Sequence, residues 1–343
     1  MTDYLIFGGT GSLGQKLINR LLPAHSVAVY SRDEAKHWTI HNSLACGPLA
    51  DRLPRGLFFY VGDVRDQERV RDVIRQSEPK TIIVASALKQ VDTCEVSPGE
   101  SILTNIVGIE NVVNVVNEIN PPSLQHLLLV STDKACAPVN VYGMCKAIAE
   151  RMVTSQARTG LRRVKYLAVR YGNVLESRGS IIPLFRHQAD HAPAFTVTDP
   201  NMTRFVMTLD QSVDLIERTL ECGQSGETWI PRLPSMRIGD LADLFAERVK
   251  KPIEVIGLRP GEKMHEDLIN ESESPRARLD GDAHYIIGPA FLPGSGKQFV
   301  YTSADSVMPR NEVAALLARY IDLPMDRFPG RSIEEIAIGQ RST

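Results

Sequence analysis

The sequence predicts an α/β protein built on a Rossmann-type, doubly wound parallel sheet with a smaller C-terminal lobe. Three observations predict this fold. In the first half, short runs rich in β-branched and aromatic residues alternate with longer helical patterns. A glycine-rich turn joins the first run to the first helix. After about residue 173 this alternation breaks, and prolines separate shorter elements.

The individual elements follow from these patterns. Short apolar runs are typical of strands that are buried on both faces of a parallel sheet. The runs are "YLIFG", "SVAVY", "LFFYV", "TIIVA" and "HLLLV", and helices are predicted near 12–22, 66–77, 100–118 and 142–157. The prolines of the second half are Pro183, Pro193, Pro200, Pro231, Pro234, Pro252 and Pro260. In the last fifty residues only a helix near 311–320 is predicted.

The composition excludes several classes of protein. With 343 residues, 43% of them hydrophobic, the chain can bury a large core. A net charge of -2 provides no basic surface for nucleic acid or an anionic membrane, and the apolar runs are far shorter than the roughly 20 residues of a membrane-spanning helix. Five cysteines without metal-ligand spacing favour reduced thiols in a cytoplasmic protein with no metal site.

The first turn, "YLIFGGTGSLGQKL", predicts a dinucleotide site. Gly8, Gly11 and Gly14 stand between an apolar strand and an amphipathic helix. Glycines there let the backbone approach a pyrophosphate, which then lies at the positive end of the helix. A tight turn without a ligand would use similar residues, but the strand, the helix and the following alternation favour cofactor binding.

The end of the second strand, "VAVYSRDEAK", indicates which cofactor is used. Ser31, Arg32 and Lys36 suit a ribose 2′-phosphate, whereas NAD sites usually present an acid, so NADP is favoured. Asp33 lies close enough to leave NAD possible. The segment "GDVRD" after the third strand could read an adenine edge. The candidate cofactor-binding residues are Gly8, Thr10, Gly11, Ser12, Leu13, Gly14, Ser31, Arg32, Lys36, Asp63, Val64, Ala85, Ser86, Ala87, Lys89, Asn105, Ser131, Tyr142 and Lys146.

Tyr142 and Lys146 are four residues apart on a predicted helix, so both project from one face. An ammonium group beside a phenol lowers the phenol's pKa from about 10, which makes the tyrosinate available as a base toward a sugar hydroxyl. This spacing also arises by chance on helices. Its position after the fifth strand of a dinucleotide-binding fold favours a catalytic pair.

These motifs resemble the extended short-chain dehydrogenase/reductase superfamily. The resemblance lies in the glycine turn, in "STDK" and in "YGMCK". It implies that the hydroxyl of Ser131 or Thr132 hydrogen-bonds the substrate hydroxyl that is oxidised.

Asp133 and Lys134 exceed what a simple dehydrogenase or C4 epimerase needs. In an exposed loop they would form a surface ion pair, but the end of a central strand is where α/β sites open. There the lysine can take a proton from the carbon beside a new ketone while the acid protonates a departing hydroxyl. Lys134 must then be neutral and Asp133 protonated, although free pKa values of about 10.4 and 3.9 favour the ionic pair. Substrate binding must supply the difference.

The complete set of motifs closely resembles the inverting UDP-N-acetylglucosamine 4,6-dehydratases of bacterial nonulosonate and capsule pathways. The motifs are "STDKACAPVNVYGMCKA", "RYGNVLESRGSIIPLF", "TDPNMTRFVMT" and "GLRPGEKMHE", and the likeness extends from residue 4 to about 288. It implies that Asp133 is the acid, Lys134 the C5 base and Tyr142 the C4-hydroxyl base, with Lys146 and Thr132 completing the catalytic set. Retaining relatives carry glutamate in place of the lysine, so Lys134 favours inversion.

The resemblance also implies a substrate site. Arg204 and Arg259 provide planar cationic groups suited to a diphosphate, and Glu262 could accept hydrogen bonds from a ribose. The candidate substrate-binding residues are Lys89, Asn173, Thr198, Met202, Arg204, Met236, Arg259 and Glu262. In "ALKQVDTCE", Gln90 and Asp92 replace a histidine and a proline that relatives commonly have, so the shape of this loop is open.

The predicted organisation assigns residues 1–172, together with 205–225, to an NADP-binding domain. Residues 173–204 and 226–290 form a smaller substrate-binding lobe. Residues 291–343 form an extension that could cover a subunit interface or cap the substrate lobe. We expect a homo-oligomer of unknown size.

The expected function is NADP-dependent 4,6-dehydration of UDP-N-acetylglucosamine with inversion at C5. A UDP-hexose C4 epimerase and a non-catalytic NADP-binding regulatory protein are the alternatives. Lys134 is expected to return a proton to C5, and a second donor such as water or Cys136 stays open.

Overall fold

The structure is a computed structural model that describes residues 1–175 and 177–321. Its strands are β1 (Tyr4–Phe7), β2 (Val27–Ser31), β3 (Leu57–Val61), β4 (Thr81–Val84), β5 (His126–Val130), β6 (Lys165–Val169), β7 (Asn173–Val174), β8 (Phe195–Val197), β9 (Thr203–Met207), β10 (Thr228–Pro231), β11 (Ser235–Arg237), β12 (Ile253–Val255), β13 (Asp267–Ile269), β14 (Ala277–Asp280), β15 (His284–Ile287) and β16 (Tyr301–Thr302). Its helices are α1 (Ser12–Leu21), α2 (Glu34–Ala45), α3 (Leu53–Gly56), α4 (Gln67–Ser77), α5 (Val91–Val96), α6 (Pro98–Ile102), α7 (Gly108–Ile119), α8 (Val141–Thr154), α9 (Gln156–Thr159), α10 (Ile181–His191), α11 (Leu209–Cys222), α12 (Ile238–Val249) and α13 (Arg310–Ile321). No helix among these residues is long and apolar enough to cross a bilayer.

The described residues form a nine-stranded central sheet in the order β14-β15-β10-β6-β5-β4-β1-β2-β3. The strands from β3 to β10 in this order pair in parallel, and β15 and β14 add an antiparallel hairpin at one edge. The doubly wound parallel sheet predicted from the sequence is therefore confirmed.

Helices cover both faces of the sheet, because its central strands are apolar on both sides. One core lies between the sheet and helices α1 and α11, and it includes Leu17 and Ile216. The other core lies between the sheet and α4, α7 and α8, and it includes Val73, Val112 and Val153. The core therefore fixes the ends of the central strands as a rigid base for a site.

The smaller lobe has its own core, formed by α10, α12 and the short strands β8 and β9. Val313 and Leu317 of α13 belong to this core, so the described part of the C-terminal extension packs on the smaller lobe. The rest of the extension, residues 322–343, lies outside the described residues.

The structure differs from the sequence-based division at the edge of the sheet. Strands β10, β14 and β15 lie within the stretch assigned to the smaller lobe, but they extend the central sheet. The reason is that all four residues of β10 are buried, and this strand is paired on both sides, with β6 and with β15. The remaining domain boundaries stay predictions.

Two helical regions also differ. The helix expected near 100–118 is divided into α6, a π-helical turn over Leu103–Val107 and α7. Asn105 is buried in that turn and bonds the backbone of Leu88, a long-range contact that helical periodicity does not reveal. Helix α2 was not predicted, because only His37 and Ile40 of it are buried and its apolar pattern is weak.

Candidate active site

A cavity of about 640 Å³ opens at the C-terminal ends of β1, β2, β4 and β5. Its position is the one at which open α/β sheets bind ligands, because the strand order reverses beside β1. Every candidate cofactor-binding residue except Asn105 lines this cavity, and so does every candidate catalytic residue. Asn105 lies behind the cavity wall. Its side-chain oxygen accepts a hydrogen bond from Leu88 N at 2.9 Å, and its side-chain nitrogen donates to the Leu88 carbonyl at 2.8 Å.

The glycine turn is shaped to hold a dinucleotide pyrophosphate. Gly8 has a φ of +82°, and a Cβ at this position would lie 2.6 Å from the backbone nitrogen of Ser86. A Cβ at Gly14 would lie 2.4 Å from the Cα of Gly9, so α1 packs directly on the turn. No side chain caps the N-terminus of α1, which leaves its amide groups available to an anion. These residues fit a dinucleotide.

The charged residues that follow β2 differ in how strongly they are already paired within the protein. Asp33 caps α2, accepting a hydrogen bond from the Lys36 backbone, and it also pairs with the Lys36 ammonium at 2.6 Å. The Arg32 side chain is 56% exposed, and its Nη1 lies 3.7 Å from the Oδ2 of Asp63. Asp63 is held mainly by Arg65, at 2.7 Å. Arg32 is thus the freer group at the cavity mouth, whereas Asp33 is already engaged.

Gly143 allows the loop that carries Asp133 and Lys134 to lie against helix α8, which carries Tyr142. Asn140 caps α8 by accepting a hydrogen bond from Gly143 N at 2.8 Å. A Cβ at Gly143 would lie 2.2 Å from the carbonyl oxygen of Lys134, so only glycine permits this approach. The close contact brings Tyr142 on the helix to the same cavity as Asp133 and Lys134 in the loop.

The pKa values of Tyr142 and Lys146 differ from the expectation. Burial raises the pKa of Tyr142 to about 12, although Lys134 and a hydrogen bond with Thr132 act against this rise. Burial lowers the pKa of Lys146 to about 8, with Glu150 opposing. The Lys146 ammonium donates to the carbonyl of Val130 at 2.5 Å. The pKa of Tyr142 is therefore raised and not lowered as expected, because burial outweighs the charge of Lys134.

Thr132, Asp133 and Lys134 form a connected group. The Thr132 hydroxyl donates to Asp133 Oδ1 at 2.9 Å, and the Lys134 ammonium approaches the same oxygen at 3.2 Å. Asp133 is 1% exposed, and its Oδ2 is buried without a hydrogen-bond partner in the described residues. The Ser131 hydroxyl is likewise buried and unpaired there. Two polar atoms in the cavity wall are therefore left for a ligand.

Glu266 is a member of this group that the sequence reasoning missed. Its Oε1 lies 3.5 Å from the Lys134 ammonium, and the side chain is 4% exposed. Burial lowers the pKa of Lys134, but the charges of Asp133 and Glu266 outweigh it and raise this pKa above its usual value. Glu266 is the last residue of the "GLRPGEKMHE" motif, yet no spacing rule connects it with a residue so distant in sequence.

The candidate substrate-binding residues fall into two groups. Lys89, Asn173, Arg259 and Glu262 line the cavity. Thr198, Met202, Arg204 and Met236 do not, and their binding role stays a prediction. Met202 and Met236 belong to the core of the smaller lobe.

Arg204 is occupied within the protein. It is 8% exposed, and its guanidinium donates to the carbonyls of Thr203, Met264 and Lys263 at 2.8, 3.3 and 3.0 Å. Its Nε also lies 3.9 Å from Glu266 Oε1. In this arrangement Arg204 supports Glu266 from the side away from the cavity.

The loop that departs from the relatives' pattern is joined to the cavity rim. Asp92 pairs with Arg259 at 3.2 Å, and the Arg259 backbone donates to Glu262 at 3.2 Å. The Lys89 ammonium donates to the carbonyl of Arg178 at 2.6 Å. Asp92 therefore has a specific partner where relatives have proline, and this contact ties the two sides of the rim together.

A buried ion network lies behind the site and was not predicted. Arg170 is 4% exposed and pairs with Glu150 of α8 at 2.6 Å and with Glu273 at 2.6 Å. Glu273 also accepts a hydrogen bond from the Cys136 thiol at 3.4 Å. Cys136, considered as a proton donor, points to this network and does not line the cavity. Arg170 thus connects helix α8, the loop that carries Asp133 and Lys134, and the segment after β13.

The described residues contain no cluster of His, Cys, Asp and Glu that could hold a metal ion. The arrangement instead offers a dinucleotide cradle, a tyrosine with a nearby lysine, and a carboxylate and ammonium group at the same cavity. Together these groups can transfer protons at neighbouring positions of a bound ligand. A nicotinamide held in the dinucleotide cradle would exchange a hydride with the same ligand.

Comparisons with known proteins agree with this geometry. Residues 4–287 match a family described as polysaccharide biosynthesis protein. A UDP-glucose 4-epimerase from Rickettsia bellii is 34% identical to this chain over 343 residues, which covers 97% of this chain and 94% of that protein.

Solved structures share the fold. The X-ray structure of Pen from Bacillus thuringiensis gives a TM-score of 0.85 at 31% identity and covers 94% of this chain and 98% of that one. DesIV, a dTDP-glucose 4,6-dehydratase from Streptomyces venezuelae with NAD and TYD bound, gives a TM-score of 0.64 at 19% identity. The match covers 76% of this chain and 88% of that one, and at this identity it shows the fold alone.

Proposed function

The chain belongs to the polysaccharide biosynthesis protein family, and on this premise we propose that it is an enzyme that modifies a nucleotide sugar. Within that class we propose NADP-dependent 4,6-dehydration of UDP-N-acetylglucosamine with inversion at C5. The observation that carries the proposal is the Asp133–Lys134 pair, which faces the same cavity as Tyr142 and Lys146. A simple oxidation or C4 epimerisation would not require the pair.

The first stage is oxidation at C4. Tyr142 takes the proton of the C4 hydroxyl, and Thr132 orients this hydroxyl. Bound NADP would accept the hydride from C4 and later return it to C6. Because the pKa of Tyr142 is about 12, the cationic charge of Lys134 contributes to this step by favouring loss of the phenol proton.

The second stage is loss of water across C5 and C6. The Lys134 ammonium lies 3.2 Å from Asp133 Oδ1, so it can pass one proton to that carboxylate. This single transfer produces both a neutral amine and a carboxylic acid. The amine then takes the C5 proton, which the C4 ketone has made acidic, and Asp133 protonates the C6 hydroxyl as it leaves as water.

The nucleotide half of the substrate would bind at the rim. Arg259 offers a planar cation for the diphosphate, Glu262 can accept hydrogen bonds from ribose hydroxyls, and Asn173 and Lys89 lie between the rim and the catalytic groups. Asn173 Oδ1 is buried without a partner in the described residues, which suits a substrate hydrogen bond.

A UDP-hexose 4-epimerase is the second candidate. It is favoured by the name of the Rickettsia bellii relative, which is 34% identical. Mass spectrometry of UDP-N-acetylglucosamine after incubation with the protein and NADP separates the two functions. Dehydration gives a product lighter by one water, whereas epimerisation leaves the mass unchanged and contradicts the proposed reaction.

We expect Arg32→Ala to weaken NADP binding by about ten-fold or more while NAD binding changes little, because only NADP has a 2′-phosphate for the guanidinium. Calorimetric titration of each cofactor measures the two affinities. Arg75→Ala, which removes an exposed arginine on α4, is the matched control. An unchanged ratio of NADP to NAD affinity in Arg32→Ala would show that Arg32 does not select the cofactor.

We expect turnover in D₂O to place deuterium at C5 of an L-configured early product. Lys134 exchanges its ammonium protons with solvent and returns one of them to C5 after water has been lost, and inversion requires that the planar intermediate turns in the cavity so that its opposite face receives this proton. Proton NMR of the product measures both the configuration and the isotope. A D-configured early product would contradict inversion, and a Lys134→Met enzyme with full dehydratase rate would remove Lys134 from the reaction.

A further inference from the structure

Glu266 is a second carboxylate beside the Lys134 ammonium, in addition to Asp133. Its Oε1 lies 3.5 Å from Lys134 Nζ, and Asp133 Oδ1 lies 3.2 Å from the same nitrogen. Glu266 does not line the cavity, so it cannot reach a substrate directly. Any influence of Glu266 on a reaction must therefore pass through Lys134.

The position of Glu266 is fixed by its backbone and by Arg204. Its backbone N–H donates to Ser303 Oγ at 2.9 Å, and its carbonyl accepts from Ser303 N at 2.8 Å. Arg204, itself held by three carbonyls, places its Nε 3.9 Å from Glu266 Oε1. The carboxylate therefore stays in place whether or not Lys134 moves.

The burial of Glu266 is costly for the fold. The side chain is 4% exposed, and Oε2 is buried without a hydrogen-bond partner in the part of the chain that the structure describes. A buried carboxylate with an unpaired oxygen generally destabilises a protein relative to an apolar residue of similar size. A role in the chemistry of Lys134 accounts for this cost.

We propose that Glu266 is a positioning residue of the elimination step, which holds Lys134 against Asp133 and keeps one proton on this pair between turnovers. The inference rests on the proposed dehydratase function. The pair needs that proton because its transfer from Lys134 to Asp133 creates the acid and the base together. A pair that has lost the proton has an amine but no acid for the departing hydroxyl.

The charges around Lys134 show why a second carboxylate matters. Asp133 and Glu266 are the anionic groups that face it, whereas Arg204 and Lys89 are cations and Tyr142 is a neutral phenol. Burial also disfavours the ammonium form. Without Glu266, Lys134 would keep one carboxylate against two cations and burial, so its proton would be lost at lower pH.

The pKa of Glu266 itself sets a lower pH limit to its effect on Lys134. Burial raises the pKa of Glu266, and the Asp133 carboxylate adds to this, whereas Lys134, Arg204 and Lys263 act in the opposite direction. Glu266 therefore supports the Lys134 ammonium above its own pKa and ceases to do so as the pH falls through it.

The test is Glu266→Gln in single-turnover experiments with NADP and UDP-N-acetylglucosamine. Absorbance of the reduced nicotinamide rises during oxidation and decays after water loss. We expect the rise to be unchanged at neutral pH, because Asp133 still holds the Lys134 ammonium there and Tyr142 stays in place. We expect the rate of the decay to fall at alkaline pH. The basic limb of its pH profile, where the rate falls, should lie about one pH unit or more below that of the unaltered protein.

Two further variants separate this role from a structural one. Glu266→Asp retains the charge at a longer distance and should restore the basic limb most of the way. It also serves as the test if Glu266→Gln does not fold. Glu254→Gln, an exposed change on β12 of the same lobe, should leave both phases as they are. Thermal unfolding of each variant measures any loss of stability independently.

A uniform loss of decay rate in Glu266→Gln with the basic limb in its original place would overturn the proposal, since a purely structural role has that effect. Equal displacement of the limb in Glu266→Asp and Glu266→Gln would also overturn it. Failure of the unaltered protein to release water would instead contradict the proposed dehydratase function. The two failures are therefore distinguishable.

Discussion

Tyr142→Phe should prevent formation of reduced nicotinamide when substrate is added to the NADP-loaded protein, with a rate loss of about 10²–10⁴. In the proposed reaction the phenol oxygen is the base for the C4 hydroxyl, and phenylalanine keeps the ring in the wall of the cavity but removes that oxygen. Absorbance at the reduced nicotinamide band in a single turnover measures the step. Tyr60→Phe removes a phenol on β3 outside the cavity and should behave as the unaltered protein.

Asp133→Asn should fail at a later stage. Asparagine cannot take up the Lys134 proton or protonate a departing hydroxyl, yet it leaves Tyr142 and Lys146 in place. Reduced nicotinamide should therefore accumulate and persist while no water is lost from the sugar. If both variants gave no reduced nicotinamide, the division of the reaction between the two residue pairs would be wrong.

The second large effect concerns stability. Arg170→Met should lower the free energy of unfolding by about 3–5 kcal/mol, because it leaves two buried carboxylates without their shared cation. Glu150 and Glu273 are each 2.6 Å from the guanidinium. Chemical denaturation at neutral pH measures the loss. Arg218→Met, which removes an exposed pair with Asp280, should cost far less, because water screens that pair.

The loss should depend on pH in a defined direction. Burial alone would raise the pKa of Glu273, but the Arg170 ion pair outweighs it and lowers this pKa in the unaltered protein. That contribution to stability is present above the unfolded-state pKa and is lost as the pH falls through the folded value. In Arg170→Met the pKa of Glu273 should rise instead. The charged, unpaired carboxylate then destabilises the variant at neutral pH, and its protonation in acid removes this destabilisation.

The difference in stability between the two proteins should therefore narrow as the pH falls from 7 toward about 4. A triple variant, Arg170→Met with Glu150→Gln and Glu273→Gln, removes the charges together and should recover much of the lost stability at neutral pH. A loss that is independent of pH and is not recovered in the triple variant would show that packing, and not charge, explains the role of Arg170.

Local sequence patterns were sufficient for much of the frame. Strands β1, β3, β4 and β5 lie within the apolar runs and β2 extends one residue beyond its run, since each run is too short for a helix and too apolar for a loop. Gly8 and Gly14 were identified from their place between an apolar strand and an amphipathic helix, and in the structure a Cβ at either position would collide with the backbone. Tyr142 and Lys146 were paired by helical spacing, which depends on neighbours in the chain alone. The helix near 311–320 followed from the same periodicity and is α13.

The sequence by itself thus determined the first five strands of the sheet, the glycine turn and helix α8, because each depends on residues close together in the chain. Only the tertiary structure decided which distant residues meet. It brought Glu266 to Lys134, buried Arg204 against backbone carbonyls, and joined Glu150 to Glu273 through Arg170. It also set the pKa of Tyr142, because burial depends on the packing of the whole molecule and outweighs the charge of Lys134, which helical spacing does not pair with Tyr142.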